Sequence, residues 1–122
     1  MKRGLVDTSV DFEAALTFAM EAGRYLDRYE RDHDDRASFA LTRVLGPVAK
    51  HRTARTAIDA ASHAMEVQRG NGYVREFVTH RLYRDAQVLP IWEGTSNVLS
   101  LDLPRAHETE DAHEELLPLV DG

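Results

Sequence analysis

Apolar and small residues recur along most of this chain at intervals of three and four, and no convincing strand interrupts them. A chain patterned in this way folds as helices, each burying a stripe against its neighbours. Phe12, Ala15, Leu16, Ala19, Ala22, Gly23 and Leu26 draw the first stripe, while Arg24, Asp27, Arg28 and Glu30 point largely elsewhere. Thr8-Ser9-Val10-Asp11 has the form of a capping box and predicts that this helix starts there. The polar run from Arg31 to Arg36 interrupts the pattern, predicts a chain reversal and offers Asp34 or Asp35 as the next N-cap.

A second helical stretch carries Ala40, Leu41, Val44, Leu45, Val48 and Ala49, then Ala54, Ala57, Ala60, Ala61, Ala64 and Met65. Its small side chains let another helix approach closely. Pro47 falls inside the stretch, next to Gly46, and has no N–H to donate four residues back, so a kink or restart is expected. Gly70 and Gly72 offer backbone freedom for a sharp exit. Thr79 to Ala86 reads as a short helix with Pro90 as its limit, and Gly94 to Leu103 as another whose continuation Pro104 would disturb. Asp111 to Val120 has enough leucine for a weak amphipathic turn. The fold class is all-α.

Composition narrows the function classes. A chain of 122 residues suits one small domain, and 43% hydrophobic with 30% charged residues is a globular balance. The formal net charge of −6 disfavours nucleic acid and an anionic membrane surface as partners. Cysteine is absent, which excludes disulfides, thiolate metal sites and cysteine nucleophiles. The start, Met1 to Asp7, reaches an acidic residue before any signal-length apolar stretch, and no later segment is apolar enough to span a bilayer, so the cytoplasm is the expected location. The histidines are scattered without a His-Glu-x-x-His spacing, so no metal site is expected, and Ser96 and Ser100 lack the Gly-x-Ser-x-Gly setting of a hydrolase.

The residues best suited to chemistry cluster near the C-terminal side. Glu93 sits between Trp92 and Gly94, where partial desolvation would raise its proton affinity toward that of a carbon-acid base. The same carboxylate at the start of a helix near Thr95 would serve as a cap favoured by the helix dipole. Thr95 and Asn97 suit either capping or hydrogen bonding to a phosphate or ribose. Trp92 can bound a cavity or fill a core. Arg81 and Asp85, four apart, can pair across one helical turn.

Arg81-Leu82-Tyr83-Arg84-Asp85-Ala86-Gln87, followed by Ile91-Trp92-Glu93-Gly94-Thr95-Ser96-Asn97 and preceded by the turn Gly70-Asn71-Gly72-Tyr73, resembles the C-terminal helical domain of FAD-dependent acyl-CoA dehydrogenases. The likeness runs from about Asp11 to Arg105 and leans toward the branch of alkylation-response flavoproteins. It implies a partial C-terminal helical bundle over 1–106 and an acidic tail or short extra helix over 107–122. It also implies that Glu93 is the base removing the α-proton of an acyl-CoA, that Gly70, Gly72, Thr95 and Asn97 contact FAD, and that Trp92 borders the substrate pocket. Arg69 departs from the family pattern, standing where the turn usually begins with glycine. The family's subunits are longer, so the chain resembles one part of an enzyme that converts acyl-CoA to 2,3-enoyl-CoA. By that resemblance FAD is shared with other domains or a neighbouring subunit, and the partners are acyl-CoA and either a second copy or a separately encoded dehydrogenase portion. The isolated chain is expected to be inactive. The competing reading is a non-catalytic helical assembly module or a truncated remnant.

Overall fold

The computed structural model describes residues 2–92 together with Gly94, Val98 and Pro104. Four helices follow one another: α1 over Lys2–Arg31, α2 over Arg36–Gln68, α3 over Gly70–Tyr73 and α4 over Thr79–Ala86. Strand is absent among the described residues, as the sequence period requires. No helix among them is long and apolar enough to cross a membrane.

α1 and α2 form an antiparallel hairpin, with Thr8 and His63 in contact toward one end and the rings of Tyr29 and Phe39 4.9 Å apart at the other. The reversal is built by aspartates. Asp32 accepts from the Asp34 N–H at 3.1 Å, and Asp35 accepts from both the N–H and the hydroxyl of Ser38, at 2.9 and 2.7 Å. Of the two N-cap candidates it is therefore Asp35 that satisfies the orphan donors of α2. Arg28 and Arg31 close the last turn of α1, where positive charge complements the helix dipole.

The expected helix start at Thr8 is too late. α1 is already helical at Lys2, and the Thr8 hydroxyl donates to the Gly4 carbonyl at 2.9 Å, one turn back. That bond makes Thr8 an interior residue of the helix rather than its cap. Nor does α2 restart at Pro47, since one helix runs through it. Packing explains the continuity: Ser38, Ala40 and Leu41 before the proline and Ala49, Ala54 and Ile58 after it are all buried, so both halves are held in register. Together they offset a proline penalty of about 3 kcal/mol.

The stripe read on α1 divides into two. Ala22 and Tyr25 are buried against α2, with Ala15 and Phe18 on the same side. Phe12, Leu16 and Leu26 lie on an outer face that remains exposed, Phe12 to 62%. Periodicity identifies helical faces, and a helix with two apolar faces has two neighbours to satisfy.

The short helices pack on the far end of α2. Thr79 is buried, and its hydroxyl donates to Gln68 Oε1 at 3.0 Å, which fixes the start of α4 beside the end of α2. α4 occupies the expected span, and Ala86 buries its inner edge. The turn before it is unlike the expectation. The residue with left-handed backbone is Arg69, at φ 55° and ψ −134°, whereas neither Gly70 nor Gly72 has a positive φ. Gly72 is needed for a different reason. It is buried against α2, and a Cβ placed on it would lie 2.4 Å from the Met65 carbonyl oxygen.

Candidate functional site

The described candidate residues fall at two places along α2: Gly70 and Gly72 follow its C-terminal end, while Trp92 and Gly94 lie beside Lys50 near its middle. After α4 the chain winds through a tight turn in which the N–H groups of Ile91 and Trp92 both donate to the Val88 carbonyl, at 3.0 and 2.9 Å. Trp92 emerges from it 67% exposed, so this indole fills no core within the described residues. Gly94 follows at φ 123°, a backbone region that a residue with a Cβ rarely adopts. Glu93, Thr95 and Asn97 lie outside the described residues, as does the segment 107–122. Most of the helix expected from Gly94 to Leu103 lies outside them too, although Val98 and Pro104 both have helical backbone.

Lys50 joins this segment to the bundle. Its ammonium donates to the Trp92 carbonyl and, at 3.0 Å, to the Gly94 carbonyl. Sequence reasoning missed this residue, because a lysine inside a long helix reads as a solvated charge. Only the fold brings it to a segment more than forty residues later.

Gly70 and Gly72 occupy the same turn but differ in what they can do. An added Cβ on Gly70 would meet nothing within 4 Å, so its backbone presents an open surface on which a flat ligand can come close. Gly72 presents its bare face to α2 instead. Beside the turn, Met65, Tyr73, His80, Tyr83 and Arg84 line an open groove of about 770 Å³. Aromatic rings beside an arginine suit a ligand that is planar and anionic. Arg81 and Asp85 form the expected pair at 3.8 Å on the exposed side of α4, a surface contact of small energetic weight.

A second cavity, about 310 Å³, lies between α1 and α2 near the Thr8–His63 contact, with Asp11, Arg52 and Asp59 in its wall. Gly4 makes room for the imidazole, because a Cβ there would come within 2.6 Å of the His63 ring. Charges of both signs line this cavity. Among the described residues, the displaced pKa values belong to α1 and the reversal before α2. Hydrogen bonding from Arg24 holds Glu21 below its usual range and raises Arg24 in turn, while the hydroxyl and then the N–H of Ser38 lower Asp35.

Comparison with known proteins adds identity to this geometry. Residues 1–107 match the family described as acyl-CoA dehydrogenase, C-terminal domain. The chain is 37% identical over 101 residues to acyl-CoA dehydrogenase family member 11 of Caenorhabditis elegans, covering 83% of this chain and 16% of that protein. It is 36% identical over 105 residues to the putative acyl-CoA dehydrogenase AidB of Escherichia coli, covering 86% of this chain and 19% of AidB. A solved structure described as the Bd2924 apo-form superimposes with a TM-score of 0.89 at 39% identity, over 94% of this chain and 23% of that one. This chain thus spans less than a quarter of the length of each of these relatives.

Proposed function

The chain belongs to the acyl-CoA dehydrogenase family, whose C-terminal domain it matches, and we propose that it supplies the helical-bundle share of an FAD-dependent enzyme that oxidises acyl-CoA to 2,3-enoyl-CoA. The observation that carries this reading is the family match through residue 107, which spans the whole Trp92–Asn97 segment as well as the glycine turn.

In this reading Glu93 takes the proton from the carbon next to the thioester, becoming a neutral acid as the carbon–carbon double bond forms. Its backbone N–H polarises the thioester oxygen and spreads the charge that develops there. Trp92 borders the pocket and excludes water, which favours the neutral form of the carboxyl and so strengthens it as a base. Bound FAD would supply the acceptor for the hydride lost from the next carbon. Gly70, Thr95 and Asn97 would hold it, and the open space at Gly70 fits that role. Gly72 would contribute by seating the turn on α2, since its bare face is already occupied. The groove beside Tyr73, Tyr83 and Arg84 has the chemistry to take a nucleotide edge.

The remaining cofactor contacts and the rest of the substrate pocket would come from other domains or a neighbouring subunit, so the isolated chain neither retains FAD nor oxidises acyl-CoA. Rapid-mixing absorbance tests the reading in a flavin-loaded assembly of this chain with the family's other domains. Glu93→Gln should slow flavin reduction by acyl-CoA by about 10²–10⁴-fold. An unchanged rate in a folded, flavin-loaded variant would assign the base to another residue.

A second reading, a non-catalytic assembly module, is favoured by the outer face of α1, where Phe12, Leu16 and Leu26 are exposed. A face of this kind needs cover from another helix, from a second copy or from a separately encoded dehydrogenase portion. Flavin titration of the assembled complex separates the two readings: a complex that forms without taking up flavin favours the module.

A further inference from the structure

We propose that Lys50 is a positioning residue for the segment that carries Glu93, acting as a clamp between α2 and the backbone on either side of that position. The catalytic part of this inference rests on the reading of Glu93 as a base; the clamp itself rests on described atoms alone.

Lys50 sits half-buried in the middle of α2, the longest element of the fold, three residues after Pro47. Its ammonium has three N–H donors, and it makes hydrogen bonds to the carbonyl oxygens of Trp92 and Gly94. Those carbonyls belong to residues two apart, so a single charge fixes the peptide unit before position 93 and the one after Gly94. Charge-assisted hydrogen bonds to carbonyl oxygens are stronger than neutral ones, and here both radiate from a rigid helix. Gly94 completes the device. Its φ of 123° lets the chain bend back so that its carbonyl meets the same ammonium as the Trp92 carbonyl.

The clamp has a directional consequence. A peptide unit is planar and trans, so its N–H points opposite to its C=O. A Trp92 carbonyl turned toward Lys50 would turn the N–H of the same unit away from α2. That N–H belongs to residue 93, and in the proposed reaction it is the donor to the thioester oxygen. The clamp would therefore set the direction of the oxyanion donor and limit the travel of the base, without Lys50 touching substrate. Loss of such positioning lowers the rate of the chemical step more than it weakens substrate binding.

Two measurements test this. In the 122-residue chain Trp92 is the sole tryptophan, so its time-resolved fluorescence anisotropy reports directly on the clamped segment. Lys50→Met, which keeps most of the length of the side chain but removes the donors, should increase fast depolarisation while the helical circular dichroism signal is kept. Lys50→Arg, which keeps donors and charge, should stay close to the parent chain. Gly94→Ala leaves α2 untouched and turns one carbonyl away, so it should loosen Trp92 as well. Parent-like anisotropy in folded Lys50→Met overturns the clamp, and parent-like anisotropy in Gly94→Ala overturns it even where Lys50→Met fails to fold.

In the flavin-loaded assembly, Lys50→Met should slow flavin reduction at saturating acyl-CoA by about 10- to 100-fold with little change in substrate Kd, and Lys50→Arg should recover most of the rate. If Glu93→Gln abolishes reduction while Lys50→Met leaves it normal, the positioning role is overturned and the base reading stands. If Glu93→Gln is itself normal, the base reading and the catalytic consequence of the clamp fail together, and anisotropy still decides whether the clamp exists.

Discussion

Replacing Gly72 by alanine tests the packing of the glycine turn against α2. The new Cβ would lie 2.4 Å from the Met65 carbonyl oxygen, 2.7 Å from its Cα and 2.9 Å from its carbonyl carbon. Unstrained carbon contacts are about 3.5–4.0 Å, so the overlap approaches 1 Å at three atoms together. All three belong to the backbone of a long helix and cannot rotate aside, so α3 must move off α2. Overpacking of this kind costs about 1–3 kcal/mol, and the rigid neighbour places Gly72→Ala at the upper end of that range. Alanine's advantage over glycine inside a helix, about 0.5–1 kcal/mol, offsets part of it. The net expectation is a loss of about 2 kcal/mol. Gly70→Ala is the matched control, with open space around the added methyl and no positive φ to strain. It should gain about 0.4–1 kcal/mol. Urea unfolding followed by circular dichroism reads both, and the variants should differ by about 2–3 kcal/mol in opposite directions from the parent. If the two variants unfold together, the close approach of Gly72 to Met65 does not carry the turn.

Arg69→Gly should stabilise the chain by about 0.5–2 kcal/mol in the same assay, because φ 55° with ψ −134° is a glycine conformation whose strain of about 1–3 kcal/mol exceeds the entropy that glycine adds to the unfolded chain. Asp35→Ala should lower the melting temperature at neutral pH by removing the cap on Ser38. Asp35 is held below the ordinary value of 3.8, so its contribution is fully present above that pH and fades as the pH falls through the lower folded-state value. The gap between parent and Asp35→Ala should narrow over that acid window, and a gap independent of pH would contradict the cap. The exposed stripe on α1 predicts that the chain self-associates in dilute solution; sedimentation should show Leu16→Glu shifting it toward monomer, and a parent chain that is already monomeric would count against this.

The hairpin was legible because its determinants are local. Apolar spacing, the aspartate run at the reversal and the compact span from Thr79 to Ala86 each act within a few residues, and the reversal and α4 form where they indicate. Errors arose where a residue's partner is distant in sequence or where two local rules compete. Thr8 has the composition of a cap, yet its hydroxyl serves the turn behind it and contacts His63 on the other helix. Pro47 weakens α2 locally, but the buried residues on either side outweigh it. Gly72 looks like a source of backbone freedom and is in fact a contact point, which only the position of Met65 reveals. Lys50 carries no sequence mark that distinguishes it from a solvated lysine, since its acceptors are backbone atoms. Glu93 stood out as a base by resemblance alone, and chemistry explains why: on spacing, a carboxylate before an expected helix start reads first as a cap.

The account turns on whether Glu93 removes the α-proton, and that step can be isolated from flavin reduction. An acyl-CoA with sulfur in place of the β-carbon has no hydride to give, so in deuterium oxide a flavin-loaded assembly containing this chain can only exchange the α-proton. Mass spectrometry of the recovered ligand then measures proton abstraction alone. Steady deuterium uptake by the parent protein is expected, together with a rate at least about 10²-fold lower in Glu93→Gln with its flavin retained. Equal uptake by the two proteins would contradict the assignment of the base.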